Sequence, residues 1–296
     1  MTKKIIDIST QKVRLSSFND LLVIEGENRV TLPFSDIAAL IVSSPAVTYT
    51  HAVLSKLSEN GSIFVCSDER HMPIGMLLPL DAHSSQTQRF AKQILSSIPF
   101  KKQLWKKVIA RKIEVQGSLL LRKKGAHFGL LKMCKEVKSG DEGNLEAQAA
   151  RIYWKNIHPM KEFKRDISAE DENKFLNYGY AILRAVVARS LCATGLNPSI
   201  GIFHKSKYNA FCLADDVMEP FRPIIDNEVF LISEELQSPF NLDTSIKKRL
   251  IEIMYKKFNF NKEERPLQDI ITLSAQSLSN AFLSQEPKII LPNLLK

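Results

Sequence analysis

The sequence is poor in the features that mark secreted, membrane-spanning and zinc-binding proteins. It has four cysteines in 296 residues, Cys66, Cys134, Cys192 and Cys212, and they form no CxxC pair. Such scattered cysteines predict small buried side chains in a reducing compartment. No run of about 18 apolar residues predicts a transmembrane helix. The opening MTKKIIDIST has no apolar stretch of the kind that a secretory signal contains. We therefore expect a cytoplasmic protein.

The sequence also lacks the motifs of several common enzyme classes. Its 11 glycines form neither a phosphate-binding loop nor a dinucleotide-binding fingerprint, and no serine lies in a nucleophile elbow. Internal repeats and low-complexity tracts are absent as well.

Positive charge is distributed unevenly along the chain. The formal net charge is +9, yet residues 1–82 contain seven Lys or Arg and nine Asp or Glu. Between Arg89 and Lys124, eleven basic residues accompany a single acid, Glu114. A solvated basic face is the simple interpretation, but so one-sided a run repels itself unless an anion neutralises it, and a phosphate backbone is the commonest such partner. We predict a track for double-stranded DNA that includes Lys101, Lys102, Lys106 and Lys107.

The hydrophobic pattern divides the chain into two parts. Short segments rich in Val and Ile predict strands at 4–9, 12–17, 21–26, 29–34, 37–44, 62–67 and 72–80, with one helix from Tyr49 to Glu59. Helical periodicity then runs through 86–97, 100–121, 126–138, 143–156, 170–195, 214–232, 244–257 and 266–284. The predicted fold class is α+β. A small β-rich domain, residues 1–82, precedes a larger all-α catalytic domain, residues 83–296.

The first segment that could carry chemistry is GDEGNLEAQAARIYW, residues 140–154. A helix that begins near Asn144 places Glu146 in its first turn, with Ala149, Ala150 and Tyr153 on the same side. The small alanines would allow another element to approach the carboxylate. A glutamate in a first turn is also favourable through the helix dipole alone, so this segment by itself does not decide between the two interpretations.

The second segment is GIFHKSKYNAF, residues 201–211. His204 follows an apolar pair in a loop after the Asn197-Pro198 helix stop. A hydrogen-bonded core histidine is the simpler interpretation. However, Lys205 and Lys207 lie beside it, so donors for an anion surround one imidazole.

The third segment is LADDVMEPFRP, residues 213–223. Asp216 and Glu219 are three residues apart, hence neighbours on a helix, and Arg222 follows after three more. A capping box would explain the acidic pair alone. Carboxylates near a histidine, however, suit Mg²⁺ or Mn²⁺, and an adjacent arginine suits a phosphate oxygen. The three segments together indicate metal-assisted phosphodiester chemistry.

These segments resemble a known family, the CRISPR-associated integrases, and most closely its type II members of subtype II-C. The resemblance rests on EGNLEAQAARIYW, NKFLNYGYAILRA and GLNPSIGIFHKSKYNAFCLADDVMEPFRP and covers essentially the whole chain. It implies that Glu146, His204 and Glu219 are catalytic and hold a divalent metal, Mg²⁺ or Mn²⁺, with Asp216 as an auxiliary acid. The last ligand is aspartate in many relatives, and Glu219 adds one methylene of reach.

The resemblance also implies partners and a reaction. It implies a homodimer formed through the β-rich domains, working with the small companion protein of the adaptation module. The complex would join the 3′-hydroxyl ends of short invader duplexes to a CRISPR repeat by transesterification. Lys205, Lys207 and Arg222 are candidate phosphate contacts, and Tyr178 is a candidate hydrogen-bond donor.

Two other functions stay open at this point, a stand-alone metal-dependent DNA nuclease and a non-catalytic DNA-binding module. The C-terminal KIILPNLLK predicts no extra DNA-binding module of the kind that transposon-encoded relatives carry.

Overall fold

The computed structural model describes residues 3–9, 12–68, 73–158, 163–236 and 240–293. Strands dominate up to residue 77, and helices dominate the remainder, as the hydrophobic pattern predicts. The first part contains β1 (Lys4–Ile8), β2 (Arg14–Phe18), β3 (Leu21–Glu25), β4 (Arg29–Pro33), β5 (Ile37–Val42), β6 (Thr48–Tyr49), α1 (His51–Glu59), β7 (Ile63–Ser67) and β8 (Pro73–Leu77). The two-residue strand β6 was not predicted, and Met72, in the last predicted strand, lies outside the described residues.

The strands form two four-stranded sheets. One has the order β4-β3-β2-β6, and the other has the order β1-β5-β7-β8 with β1, β5 and β7 parallel. Strand β5 is buried at every residue because both of its faces are covered. Leu40 and Val42 pack into a small core with α1 and the β2–β3 hairpin, whereas Ala39 and Ile41 pack into the main core with the helices.

The helical part contains one helix, Ile98–Lys124, that is longer than the others. Its helices are α2 (Gln86–Leu95), α3 (Ile98–Lys124), α4 (Leu130–Glu136), α5 (Leu145–Ile157), α6 (Asn173–Ala193), α7 (Cys212–Met218), α8 (Arg222–Glu235), α9 (Thr244–Glu252) and α10 (Leu267–Ser284). Helix α3 begins where Ser97 accepts the backbone N–H of Phe100, and it ends at Gly125, whose φ of 71° suits glycine. None of the described helices combines the length and apolar character that a membrane span requires.

The prediction that residues 83–296 are all-α is wrong at one hairpin. Strands β9 (Lys257–Phe260) and β10 (Glu263–Pro266) pair antiparallel. The two turn residues, Asn261 and Lys262, both have positive φ, as a type I′ hairpin turn requires. Phe258 and Phe260 alternate with polar residues, so the period-two signal was present in the sequence but was assigned to the end of a helix and a loop.

The predicted helix 214–232 is also interrupted. A short 3₁₀ turn, Glu219–Phe221, separates α7 from α8. Pro220 and Pro223 lack the backbone N–H that a continuous helix would use, so the α-helical hydrogen bonding is interrupted at this point. The interruption places Glu219 at the joint between the two helices.

The β1-β5-β7-β8 sheet and the helices share a single main core. Ile5, Ile41 and Val65 of the sheet belong to the same apolar cluster as the buried side chains of α3, α6 and α10. Polar links cross the same boundary, including the bond from the backbone N–H of Ile5 to Tyr255 Oη at 2.5 Å. The domain boundary at residue 82 and the dimerisation role of residues 1–82 stay predictions.

Candidate active site

Glu146 lies in the first turn of α5, as the sequence predicts. Asp141, which sequence reasoning did not single out, accepts the backbone N–H groups of Leu145 at 2.9 Å and Glu146 at 3.0 Å. These bonds satisfy donors that the helix cannot use internally. The Glu146 carboxylate is therefore not needed as a cap, and its side chain is 26% exposed.

His204 lies in the loop between α6 and α7, and Asp216 positions it. Asp216 is fully buried and accepts the backbone N–H groups of Ile202 at 2.6 Å and Phe203 at 3.0 Å. Its Oδ1 also lies 2.6 Å from His204 Nδ1. Because Asp216 engages Nδ1, Nε2 is the ring nitrogen available for a ligand. The hydrogen bond to Asp216 raises the pKa of His204 against the opposing effect of burial.

Two further residues shape this loop, and sequence reasoning missed both. A side chain at Gly201 would place its Cβ 2.3 Å from the carbonyl oxygen of His204 and 3.0 Å from Asp216 Oδ2, so only glycine fits. Trp105 of α3 stacks on Phe203, with ring centroids 4.4 Å apart, and meets the His204 ring edge-on at 5.7 Å. The loop is thereby held against α3.

Glu219 converges with Glu146 around a lysine from α3. Lys112 Nζ lies 2.6 Å from Glu146 Oε1 and 2.6 Å from Glu219 Oε2, so the two carboxylate oxygens are no farther apart than twice that distance. Arg222 Nε lies 3.1 Å from Glu219 Oε1. Residues distant in sequence are thus brought into one charged cluster.

The charges in this cluster stabilise one another. Burial by itself would raise the pKa of the Glu219 carboxyl, but the positive charges of Arg222 and Lys112 outweigh burial and lower that pKa. Burial likewise opposes protonation of Lys112, yet the charges of Glu219 and Glu146 outweigh it and raise the pKa of the ammonium. Both groups are therefore charged near neutral pH.

Glu146, Glu219 and His204 are side chains of the kind that bind a divalent metal, although they do not form a complete coordination site. Within the described ranges, no three His, Cys, Asp or Glu side chains form a complete metal-binding cluster. Glu219 Oε2, however, is buried and lies at ion-pair distance from Lys112, so a cation already occupies the position next to this carboxylate. Two carboxylates beside an imidazole are ligands that Mg²⁺ and Mn²⁺ accept. The residues present therefore fit such a metal.

Several of the predicted phosphate contacts lie beside His204. A cavity of about 200 Å³ is lined by Lys101, Lys102 and Lys205 together with Trp105 and Phe203. Burial and the nearby charge of Lys205 lower the pKa of Lys101, which shows that the two cations are close. Positive charge gathered beside the His204 loop is what a bound phosphate would neutralise.

The remaining predicted contacts are dispersed. Lys107 is exposed and Lys106 is partly buried on α3, and Lys207 lies on an exposed loop with Nζ 4.9 Å from the centre of the Tyr208 ring. Arg222 contacts Glu219 and lies over the Tyr180 ring at 4.8 Å. Of the basic run, Arg89 and Lys112 point into protein contacts with Ser279 and the carboxylate cluster respectively. The basic run as a whole therefore does not face solvent, and the DNA track stays a prediction for its exposed members.

Tyr178 is a correction to the predicted set. Its side chain is 2% exposed, and its hydroxyl donates to Asp7 Oδ2 at 2.5 Å. Burial and the neighbouring Asp7 carboxylate raise the pKa of this phenol, so the hydroxyl keeps its proton. Its hydroxyl is therefore bound within the protein, joining α6 to β1, and is not available to a DNA phosphate.

The chain is similar to known proteins over most of its length. A sequence model of the family described as CRISPR associated protein Cas1 matches residues 6–258. CRISPR-associated endonuclease Cas1 of Neisseria meningitidis serogroup C is 36% identical over 250 residues, which cover 82% of this chain and 80% of the relative.

Solved structures share the fold. A casposase bound to integration product matches with a TM-score of 0.81 at 19% identity, covering 97% of this chain and 92% of the casposase chain. A chain of a Cas6-RT-Cas1–Cas2 complex matches with a TM-score of 0.76 at 19% identity, over 97% of this chain and 36% of that one.

Proposed function

Because the chain belongs to the Cas1 family of CRISPR-associated proteins, we propose that it is the DNA integrase of a CRISPR adaptation module. It joins the 3′-hydroxyl ends of short invader duplexes to a CRISPR repeat by metal-dependent transesterification. The observation that carries this proposal is the convergence of Glu146 and Glu219 on one point, with His204, held by Asp216, close enough for its charge to interact with that of Glu219. The casposase match supports it, since that protein is bound to an integration product.

Each residue of the cluster has a role in the proposed reaction. Glu146, His204 through Nε2, and Glu219 would hold Mg²⁺ or Mn²⁺, which when bound would activate the attacking hydroxyl and stabilise the phosphate charge. Asp216 holds His204 by its other nitrogen, and Arg222 keeps Glu219 ionised. Lys101, Lys102 and Lys205, which line one cavity beside the His204 loop, would bind DNA phosphates.

The proposal includes partners. We propose a homodimer that works with the small companion protein Cas2 on duplex DNA, in the cytoplasm of a cell with a subtype II-C system. The match to a chain of a Cas6-RT-Cas1–Cas2 complex supports the companion. The subtype rests on the sequence resemblance.

The test is a joining assay with matched variants. The reaction contains the protein, its companion, a short duplex, a supercoiled plasmid carrying the repeat, and Mn²⁺. Glu146→Ala, His204→Ala and Glu219→Ala should each reduce joining by on the order of 10²-fold or more, as expected for loss of transition-state stabilisation. Glu114→Ala, whose side chain is 24% exposed and pairs with Arg111, is the control of similar exposure and should join normally. Circular dichroism confirms the fold of each variant.

The same assay separates an integrase from a nuclease. Duplexes with dideoxy 3′ ends lack the attacking group, so joined product should disappear. Their binding should barely change, because phosphate contacts dominate DNA affinity. A nuclease would cut the plasmid equally with either kind of end, and wild-type joining by Glu146→Ala would refute the metal assignment.

A further inference from the structure

Lys112 lies at the centre of the candidate site, although neither its charge nor its position was singled out by sequence. Its side chain is only 12% exposed, and its ammonium contacts Glu146 and Glu219 at equal distances of 2.6 Å. Arg222 holds the other oxygen of Glu219. Lys112 is therefore the group that links the two carboxylates, which come from different helices.

Two carboxylates this close need a cation between them. Without one, their mutual repulsion would favour protonation of a carboxylate or separation of the two. A divalent metal would meet that need, because Mg²⁺ binds carboxylate oxygens at about 2.1 Å. A lysine ammonium meets it too, as a compact charge on a flexible stem. The two cations require the same space, since both would contact the same carboxylate oxygens.

We infer that Lys112 is a built-in counter-cation that occupies the carboxylate pair until a divalent metal arrives and then leaves it. The inference rests on the proposed metal site. Lys112 is placed for such an exchange, because its ammonium is shared by both carboxylates, at 2.6 Å from each. An ion with twice the charge that makes the same contacts gains more electrostatic energy than the ammonium. Lys112 thus keeps the metal-free protein folded and competes with the metal for its ligands.

The competition is measured by Mn²⁺ binding to the DNA-free protein, followed by electron paramagnetic resonance of the free ion. Lys112→Met keeps most of the unbranched side chain and removes its charge, so the variant should bind Mn²⁺ more tightly by on the order of tenfold. It should also melt at a lower temperature than the wild type in EDTA and recover with Mn²⁺. The control is Lys56→Met, which removes an exposed lysine that also bridges two carboxylates, Asp20 and Glu59. It should leave Mn²⁺ affinity unchanged.

The outcomes distinguish this inference from the proposed function. Binding of Mn²⁺ by the wild type that Glu146→Ala abolishes supports the metal site whatever Lys112 does. Equal or weaker binding by Lys112→Met, with the metal site intact, would overturn the counter-cation role. Absence of Mn²⁺ binding by both wild type and Lys112→Met would overturn both proposals.

A second measurement uses the wild-type chain and so does not depend on a variant folding. Limited acetylation with and without Mn²⁺, read by peptide mass spectrometry, reports the accessibility of each lysine. Lys112 should be acetylated several-fold faster when Mn²⁺ is present, because the displaced amine leaves its carboxylates, whereas Lys56 should not change. Equal labelling of Lys112 in both conditions would overturn the inference.

Discussion

At the scale of single residues, buried aspartates hold the backbone and side chains around the candidate ligands. Asp141 caps the helix that carries Glu146, and Asp216 holds the His204 loop. Asp215 accepts Arg184 Nε at 2.7 Å and Asn209 Nδ2 at 2.8 Å. The sequence shows these acids as a cluster, but only the structure distinguishes the carboxylates that bind protein donors from those that face a cation.

Asp226 gives a pH dependence that can be measured. It is 1% exposed and accepts the hydroxyls of Tyr153, at 2.8 Å, and Tyr180. Burial raises its pKa to about 6, although the two hydroxyls, Arg222 and Arg165 oppose the rise. The folded chain therefore keeps a proton that the unfolded chain releases, and stability is lost as pH rises from about 4 to about 6.

Asp226→Asn should remove this dependence. Relative to the Asn variant, the wild type should lose up to about 3 kcal/mol of unfolding free energy across that window, as a shift of about two pKa units implies. Urea denaturation at pH 4, 5, 6 and 7 measures the difference between the two proteins. A difference that does not vary with pH would show that Asp226 keeps an ordinary pKa.

At the scale of elements, α3 combines a core face, an internal cation and a basic surface. Its buried stripe contains Trp105, Val108, Val115 and Leu119, and Lys112 lies at the same helical spacing. A lysine on an apolar stripe is the signal that could have identified it before the structure was known. Lys112 was counted with the other basic residues of the run. A count of charges does not show whether a side chain points to the surface or to the interior.

The surface lysines of α3 should contribute to DNA affinity without specifying sequence. Replacing Lys101, Lys102, Lys106 and Lys107 with Ala should weaken duplex binding and flatten its salt dependence by about one unit of slope for each phosphate that the variant no longer binds. Lys248→Ala removes a lysine on α9 whose side chain is 76% exposed and serves as control. Fluorescence anisotropy at several salt concentrations gives the slopes. Equal slopes for the quadruple variant and the wild type would show that this face is only solvated.

The sequence predicted elements well and their interruptions poorly. Long periodic segments such as α6 and α10 were recognised because their apolar faces continue over many turns. The joint at Glu219–Phe221 was missed, because the apolar pattern continues through it while the backbone changes to a 3₁₀ turn. The hairpin β9–β10 was missed because each of its strands has only four residues. The three ligand candidates came from family resemblance, and their convergence required the tertiary structure.

At the scale of the whole molecule, the β1-β5-β7-β8 sheet and the helices share one hydrophobic core. Ala39 and Ile41 of β5 pack into the helical core, and Arg189 Nε of α6 donates to the carbonyl of Gly61 at 3.0 Å. Tyr178 adds a bond from α6 to Asp7 of β1. We therefore expect the two sequence regions to unfold together.

Tyr178→Phe tests both this link and the corrected role of Tyr178. Loss of the hydroxyl leaves Asp7 Oδ2 with only the longer hydrogen bond from Ser9 Oγ at 3.3 Å, so the free energy of unfolding should fall by about 1–3 kcal/mol. Thermal and urea unfolding should still show a single transition. Duplex affinity should equal that of the wild type, and weaker binding by the variant would restore Tyr178 as a DNA contact.

The dependence of His204 on the main chain has a consequence for protein engineering. Three backbone N–H groups, those of residues 202–204, lie within hydrogen-bond distance of Asp216, and Gly201 leaves no room for a Cβ. A designer who grafts two glutamates and a histidine onto another helical scaffold would reproduce the side chains but not this loop. A graft that keeps the geometry of His204 would have to include the whole segment from Gly201 to Asp216. The smallest unit that can be transferred to another scaffold is therefore this segment and not the three side chains alone.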